Sequence, residues 1–180
     1  MRVHRLAAYV IGSVPVANLV AGNDLRRLGT VSATNVYRVA GLRPFALACL
    51  LDVVKGAAGA AGARSALGVG LVVAGHNWSV FLRGGGGRGV LPGLGALLVV
   101  APEGAALLAA GIVAGHLTGD SAPGCFAAQV LMVPLLAATR GRRGALLGAA
   151  VAVPMLAKRL LGDGGRAPVL TRLVFDRDAR

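Results

Sequence analysis

The sequence predicts an all-α, polytopic integral membrane bundle of about seven transmembrane helices, with five to seven as the range. Three observations lead there. Apolar residues make up 56% of the 180 positions and charged residues only 14%. Long apolar runs recur along the chain. None of them alternates with the period of two that a membrane barrel needs. Soluble domains carry about 25% charged residues, so a water-facing exterior of this size would go uncovered. Lipid offers no partners to free backbone groups, which makes helices the default for each span.

The runs fall at about 6–22, 44–63, 66–82, 90–102, 104–118, 124–138 and 144–161. Several are shorter than the roughly 20 residues of a perpendicular span, so some are re-entrant or paired in the lower counts. The opening MRVHR-LAAYVIGSVPVANLVAG superficially resembles a signal peptide. Because more spans follow, it is read as the first of them. The 28 glycines sit inside Leu/Val/Ala runs, where small residues let helices approach closely. Residues 1–162 read as one transmembrane domain and 163–180 as a polar cytoplasmic tail.

With seven spans and the N-terminus outside, twelve basic residues fall inside and six outside. That bias favours this orientation, although the Arg140–Arg143 cluster counts against it. The net charge of +12 fits basic loops at an anionic lipid surface. Nucleic acid is not expected as a partner, because the arginines are scattered between apolar runs without an aromatic face. Cys49 and Cys125 lie in apolar runs, with no spacing that suggests a disulfide or a metal site.

Three polar stretches could carry chemistry. GNDLRRLGTVSATNVYRVAG, Gly22 to Gly41, supplies Thr30, Ser32, Thr34, Asn35 and several arginines including Arg38. Guanidinium forks suit phosphate, and the bland alternative is a loop anchored to lipid headgroups. LLDVVKG places Asp52 and Lys55 three apart on one helix face. They form either a structural ion pair or part of a functional path. GHNWSVFLRGGGGRGV, Gly75 to Val90, holds four consecutive glycines between Arg83 and Arg88. Such a run frees amides to turn toward one anion; a plain interhelical turn is the alternative. The formal GxGxxG match is weak without a preceding strand, and Val90 rules out a Walker loop. His76 reads as a general base or a hydrogen-bonded helix-end histidine, and Asp120 as a helix cap.

In this order the stretches resemble the acyl-phosphate:glycerol-3-phosphate acyltransferases of the PlsY type. GSVPVANL resembles the family's opening Gly-Ser-Ile-Pro helix. DLRRLG…ATNVYRVAG running into LLDVVKG resembles its first cytoplasmic motif, and GHNWSVFLRGGGGRGV its second, written GHxxPVFLxFKGGKGV. This chain departs at Thr30 and Ser32, which stand for the family's serine and asparagine, and at Ser79, which stands for proline. It departs again at Gly85 and Arg88, which stand for two lysines. Val153 and Leu156 occupy the third motif's His and Asn places, ahead of Lys158-Arg159-Leu160.

The resemblance implies acyl transfer from acyl phosphate to the 1-hydroxyl of glycerol 3-phosphate at a bacterial plasma membrane, with the site facing the cytoplasm. The products are lysophosphatidic acid and phosphate. It implies Thr30 or Ser32 as the catalytic hydroxyl, and Thr34, Asn35 and Arg38 around glycerol 3-phosphate. Lys55, His76, Arg83, Gly85, Gly86, Gly87, Arg88 and Gly89 complete the substrate-binding set. The partners expected are the two substrates and membrane lipids; no cofactor or metal is expected. Two other readings stay open. One is a catalytically impaired relative that binds lipid precursors or a partner enzyme, prompted by Val153 and Leu156. The other is a small transporter, prompted by the spans and the Asp52/Lys55 pair.

Overall fold

A computed structural model of the chain describes residues 2–63, 65–162 and 167–176. Among those residues the regular structure is helical and no strand is present. The helices are α1 (Arg2–Ser13), α2 (Val16–Ala21), α3 (Ala33–Ala40), α4 (Leu42–Ala63), α5 (Ala66–Asn77), α6 (Val90–Val100), α7 (Pro102–Leu117), α8 (Ser121–Leu161) and α9 (Val169–Phe175). Single turns of 3₁₀ helix lie at Leu25–Leu28 and Val80–Leu82.

Local chemistry sets the boundaries. Pro15 has no N–H and interrupts the first apolar run between α1 and α2. Ser32, Ser65 and Asp120 cap α3, α5 and α8 by accepting from the backbone N–H groups of Asn35, Gly68 and Ala122. Ala101 is extended (φ −159°, ψ 78°), and Pro102 starts α7. The two apolar runs expected at 124–138 and 144–161 are joined in α8, which reverses at Gly141 (φ 61°, ψ −149°). Only glycine adopts that conformation cheaply. The reversal packs Gly144 against Leu136 and Gly148 against Met132, so the limbs on either side of Gly141 run antiparallel.

Three apolar stretches are long enough to cross a membrane by length and composition: Val3–Ala21, Leu42–Ala63 and Ser121–Leu161. The segments at Ala66–Leu82, Val90–Val100 and Pro102–Leu117 are shorter. With α8 counted as two limbs, seven helical limbs run between the ends of the bundle among the described residues. Small residues let them touch: a methyl group added to Gly56 would strike the Pro92 carbonyl, and one on Gly95 the Val53 carbonyl. The interior holds Val72, Leu97, Leu108, Met132, Leu136 and Met155, while Leu50, Leu98, Leu131 and Leu146 face outward. An apolar exterior over an apolar core is the pattern of a chain embedded in lipid.

One end of the bundle carries residues 22–41, 78–89, 118–120 and α9. The opposite end carries Ser65, Ala101 and Gly141. At that opposite end Glu103 pairs with Arg140, whose Nη1 also donates to the Val100 carbonyl at 2.6 Å. The boundary expected at 162/163 lies where the described residues break, since 163–166 and 177–180 are outside them.

Candidate active site

The break at Pro15 is the first anchor of the site. It leaves the carbonyls of Ser13 and Val14 without helical partners, and both are taken by side chains from afar. Ser79 Oγ donates to Ser13 O at 2.5 Å, and Lys55 Nζ donates to Val14 O at 2.9 Å. Ser79 N–H also donates to Gly85 O at 2.9 Å, a bond the family's proline at this place could not make.

The buried Lys55 ammonium also lies 2.8 Å from Asp52 Oδ1 and 3.1 Å from His76 Nδ1. Those three contacts tie the ammonium into the fold. The sequence placed Lys55 in the substrate-binding set; the geometry makes it the tie between α4, the α1 break and His76. The Asp52–Lys55 pair is a charge contact, with Asp52 Oδ1 buried and without a hydrogen bond of its own.

The glycine run closes on itself more than its composition suggests. The amides of Gly84, Gly85 and Gly87 donate to the carbonyls of Ser79, Leu82 and His76 at 2.9, 3.1 and 3.1 Å. Those three amides are therefore engaged within the loop. Gly86 and Gly87 are buried, and a methyl group on Gly87 would collide with His76 Nε2. Gly89 has φ +75° and starts α6.

The two polar loops are stitched together. Val31 N–H donates to Gly86 O at 3.3 Å, and Arg26 Nη1 donates to Leu82 O at 3.1 Å. Asp24 orients Arg26 through a 2.7 Å pair. The Arg26 guanidinium holds the Asp24 carboxyl below its usual range, at about 2, and the carboxylate in turn raises Arg26.

Between these loops and the ends of α4, α7 and α8 lies a cavity of about 270 Å³. From the expected set, Ser32, Thr34, His76, Arg88 and Gly89 line it. Thr30, Asn35, Arg38, Lys55, Arg83 and Gly85–Gly87 do not line it. Arg38 is exposed on α3 and donates to Asn35 Oδ1 at 3.3 Å; buried Asn35 donates to Thr30 O at 2.8 Å. Thr30 Oγ1 is buried without a hydrogen bond, and Arg83 is exposed in the left-handed region (φ 53°).

Asp52, Arg159 and Asp176 line the cavity too, and the sequence reading gave them no place in the site. Arg159 is 2% exposed and donates to the carbonyls of Ala122 at 3.1 Å and Leu173 at 2.8 Å. Arg88 Nε lies 2.6 Å from Asp176 Oδ1, and Arg88 Nη1 donates to Lys158 O at 3.2 Å. The signal for Arg159 was its charge inside an apolar run; Asp176 had none, since only tertiary packing brings it here. Val153, at the family's histidine place, is 58% exposed on the outer face, while Leu156 packs against the core. A side chain at 153 points away from the cavity, so the valine there takes nothing from it.

The arrangement brings together donors of the kind that suit an anion. Two guanidiniums, the Ser32 and Thr34 hydroxyls and the N-terminal end of α6 border one cavity. Ser32 Oγ accepts from Asn35 N–H, which leaves its own O–H to donate into the space. Among the described residues no cluster of three or more His, Cys, Asp or Glu could hold a metal ion. A groove of about 570 Å³ at the opposite end has Ser65 and Arg143 among apolar side chains.

A sequence model of the family described as Glycerol-3-phosphate acyltransferase matches residues 3–161. Glycerol-3-phosphate acyltransferase 5 of Dehalococcoides mccartyi is 41% identical over 135 residues, covering 67% of this chain and 58% of that protein. The glycerol-3-phosphate acyltransferase of Thermus thermophilus is 44% identical over 110 residues, covering 54% and 55%. A Gluconobacter oxydans protein of the same name is 33% identical over an alignment of 192 positions, covering 97% of this chain and 90% of its own. The first two matches thus span little more than half of those relatives. Among solved structures, PlsY (YgiH), an integral membrane glycerol 3-phosphate acyltransferase, superposes in its glycerol 3-phosphate form with a TM-score of 0.77 at 24% identity. That match covers 98% of this chain and 93% of PlsY. The lysophosphatidic acid form superposes with a TM-score of 0.68. These superpositions show that the fold is shared.

Proposed function

The chain belongs to the glycerol-3-phosphate acyltransferase family, and from that premise we propose that it acylates glycerol 3-phosphate at the loop-bearing end of the bundle. The acyl donor in this reading is an acyl phosphate. The 1-hydroxyl oxygen attacks the acyl carbonyl carbon, and the bond from that carbon to the phosphate oxygen breaks. Inorganic phosphate leaves, and the hydroxyl proton ends on a phosphate oxygen. No side-chain base is then required, which agrees with a cavity whose polar groups are mostly donors.

The observation that carries this reading is the meeting of Arg88 and Arg159 in one cavity with Ser32 and Thr34. Both substrates are phosphorylated, and guanidinium forks and hydroxyls are the donors that orient phosphate oxygens. An acyl phosphate is already activated, so holding it beside the hydroxyl supplies much of the rate. In this assignment Arg88 steadies the donor's phosphate as charge develops, and Ser32 and Thr34 donate to a substrate phosphate. Thr30 is left out, because its hydroxyl does not reach the cavity. Arg38 and Arg83, both exposed at the same end, attract the anions electrostatically.

The loop-bearing end faces the cytoplasm of a bacterial cell in this proposal. Arg26, Arg27, Arg38, Arg43, Arg83, Arg88, Lys158, Arg159 and Arg172 gather there, against Arg5, Arg140, Arg142 and Arg143 at the other end. That bias is the one expected of cytoplasmic surfaces.

The test is purified protein in lipid nanodiscs, given labelled glycerol 3-phosphate and palmitoyl phosphate. Lysophosphatidic acid is the expected product. Binding without turnover would favour a non-catalytic relative, and flux of glycerol 3-phosphate into proteoliposomes a transporter.

A further inference from the structure

The residues that close the cavity include one contributed from beyond the family match, which ends at residue 161. Asp176 follows α9 in the left-handed region (φ 52°), with its N–H donating to Arg172 O at 3.1 Å. Aspartate is among the few residues that tolerate that conformation, and here it turns the carboxylate inward. The carboxylate lies 2.6 Å from Arg88 Nε, and its side chain is 22% exposed. Arg159, beside it, takes the carbonyls of Leu173 and Val174 at 2.8 and 3.4 Å.

We propose that α9 is a strap whose Asp176 carboxylate occupies the anion site of Arg88 and Arg159, and that a substrate phosphate must displace it. The chain then competes with its own substrate. The proposal rests on the acyl-transfer reading only in taking this cavity as a phosphate site.

Electrostatics explain why such an occupant exists. Two guanidiniums held in one buried site repel and lose hydration, a cost that an anion offsets. In this structure the anion is the chain's own carboxylate. A phosphate monoester brings more charge and a third oxygen, and guanidinium groups favour it, so it competes favourably with one carboxylate.

Packing explains why the strap can leave. No residue of α9 is buried, and Leu170 and Phe175 are 70% and 44% exposed. The helix has seven residues, too short to hold its shape alone. Thr171 to Val174 are half-buried, and the polar latch lies at the C-terminal end. Elements with few buried apolar contacts and a polar anchor open at low free-energy cost.

The experiment uses the full-length protein in nanodiscs and two readouts. The first is calorimetric titration with inorganic phosphate and with glycerol 3-phosphate, on the native protein, Asp176→Asn and Asp176→Glu. Asp176→Asn should bind both about tenfold more tightly, the scale of one lost competing charge pair, and Asp176→Glu should return toward the native value. The second is a spin label on Leu170→Cys in a Cys49→Ala, Cys125→Ala background with Asp176 intact. Its mobility should rise as phosphate is added. Unchanged or weaker binding in Asp176→Asn, or a label that stays still at saturating phosphate, overturns the strap. Tighter binding without lysophosphatidic acid from any variant supports the strap while sinking the acyl-transfer reading. Failure of every form to bind either phosphate sinks both.

Discussion

Lys55 and His76, from α4 and α5, meet at 3.1 Å between Nζ and Nδ1, and the lysine holds Asp52 and the Val14 carbonyl as well. One ammonium therefore fixes the α1 break, the second helix face and the histidine that backs the glycine loop. Removing it strands the Asp52 carboxylate in the interior. Lys55→Met should destabilise the protein by about 3–5 kcal/mol, whereas Asp52→Asn combined with Lys55→Met should recover part of that loss. Thermal midpoints in one detergent give the cycle, and additive losses would show that the two groups are not coupled.

Gly87 and Gly84 separate space from backbone freedom. A methyl group on Gly87 meets His76 Nε2 and the Val31 carbonyl, while one on Gly84 (φ +85°) meets open space. Gly87→Ala should push the loop off His76 and lower kcat/KM by about 100-fold, as a misplacement near 1 Å does. Gly84→Ala should cost roughly 1 kcal/mol of stability through its left-handed backbone and leave the cavity intact. Lysophosphatidic acid production and melting curves on both variants check the contrast.

Arg88 and Arg38 test which arginine touches the reacting groups. Arg88 lines the cavity, and Arg38 sits exposed on α3 with one bond to Asn35. Arg88→Ala should lower kcat by about 100- to 1,000-fold, the scale of one lost charge-stabilising donor. Arg38→Ala should mainly raise KM, with an effect that fades as salt rises. A salt-independent loss of kcat in Arg38→Ala would move Arg38 into the reacting centre.

Gln129 is 1% exposed on α8, and neither of its amide atoms has a hydrogen bond. An unpaired buried amide costs about 1–3 kcal/mol. Gln129→Met keeps the volume and removes the polar atoms, so the thermal midpoint should rise. A fall would reveal a partner that forms in the membrane.

Asp24 gives a pH dependence with a definite sign. Its folded pKa, about 2, lies below the usual value of 3.8 because of Arg26. Its contribution is present above that usual value and disappears as pH falls through about 2. Asp24→Asn should therefore melt slightly below the native protein at pH 5 and converge with it as pH falls below about 2. The pair is exposed, so the gap should shrink further in high salt.

The bundle was legible because burial in lipid writes itself as unbroken apolar runs, and the break between the runs at 124–138 and 144–161 is where α8 reverses, at Gly141. The ends of α6 and α7 moved by a residue or two, since one extended residue, Ala101, suffices for the turn before Pro102. The loops were legible as motifs, but not which of their groups turn inward. Nothing local says that Gly84, Gly85 and Gly87 would spend their amides inside the loop, or that Lys55 would lie against Val14 and His76. Arg159 and Asp176 escaped for the same reason: their meeting with Arg88 joins parts of the chain about 70 or more residues apart and leaves no local pattern.

An odd number of limbs places residue 3 and residue 176 at opposite ends of the bundle. Reporters fused to the two termini should consequently light up in different compartments. A periplasm-active phosphatase at one terminus and a cytoplasm-only fluorophore at the other would both signal from a single fusion. Protease added to sealed spheroplasts should trim just one of them.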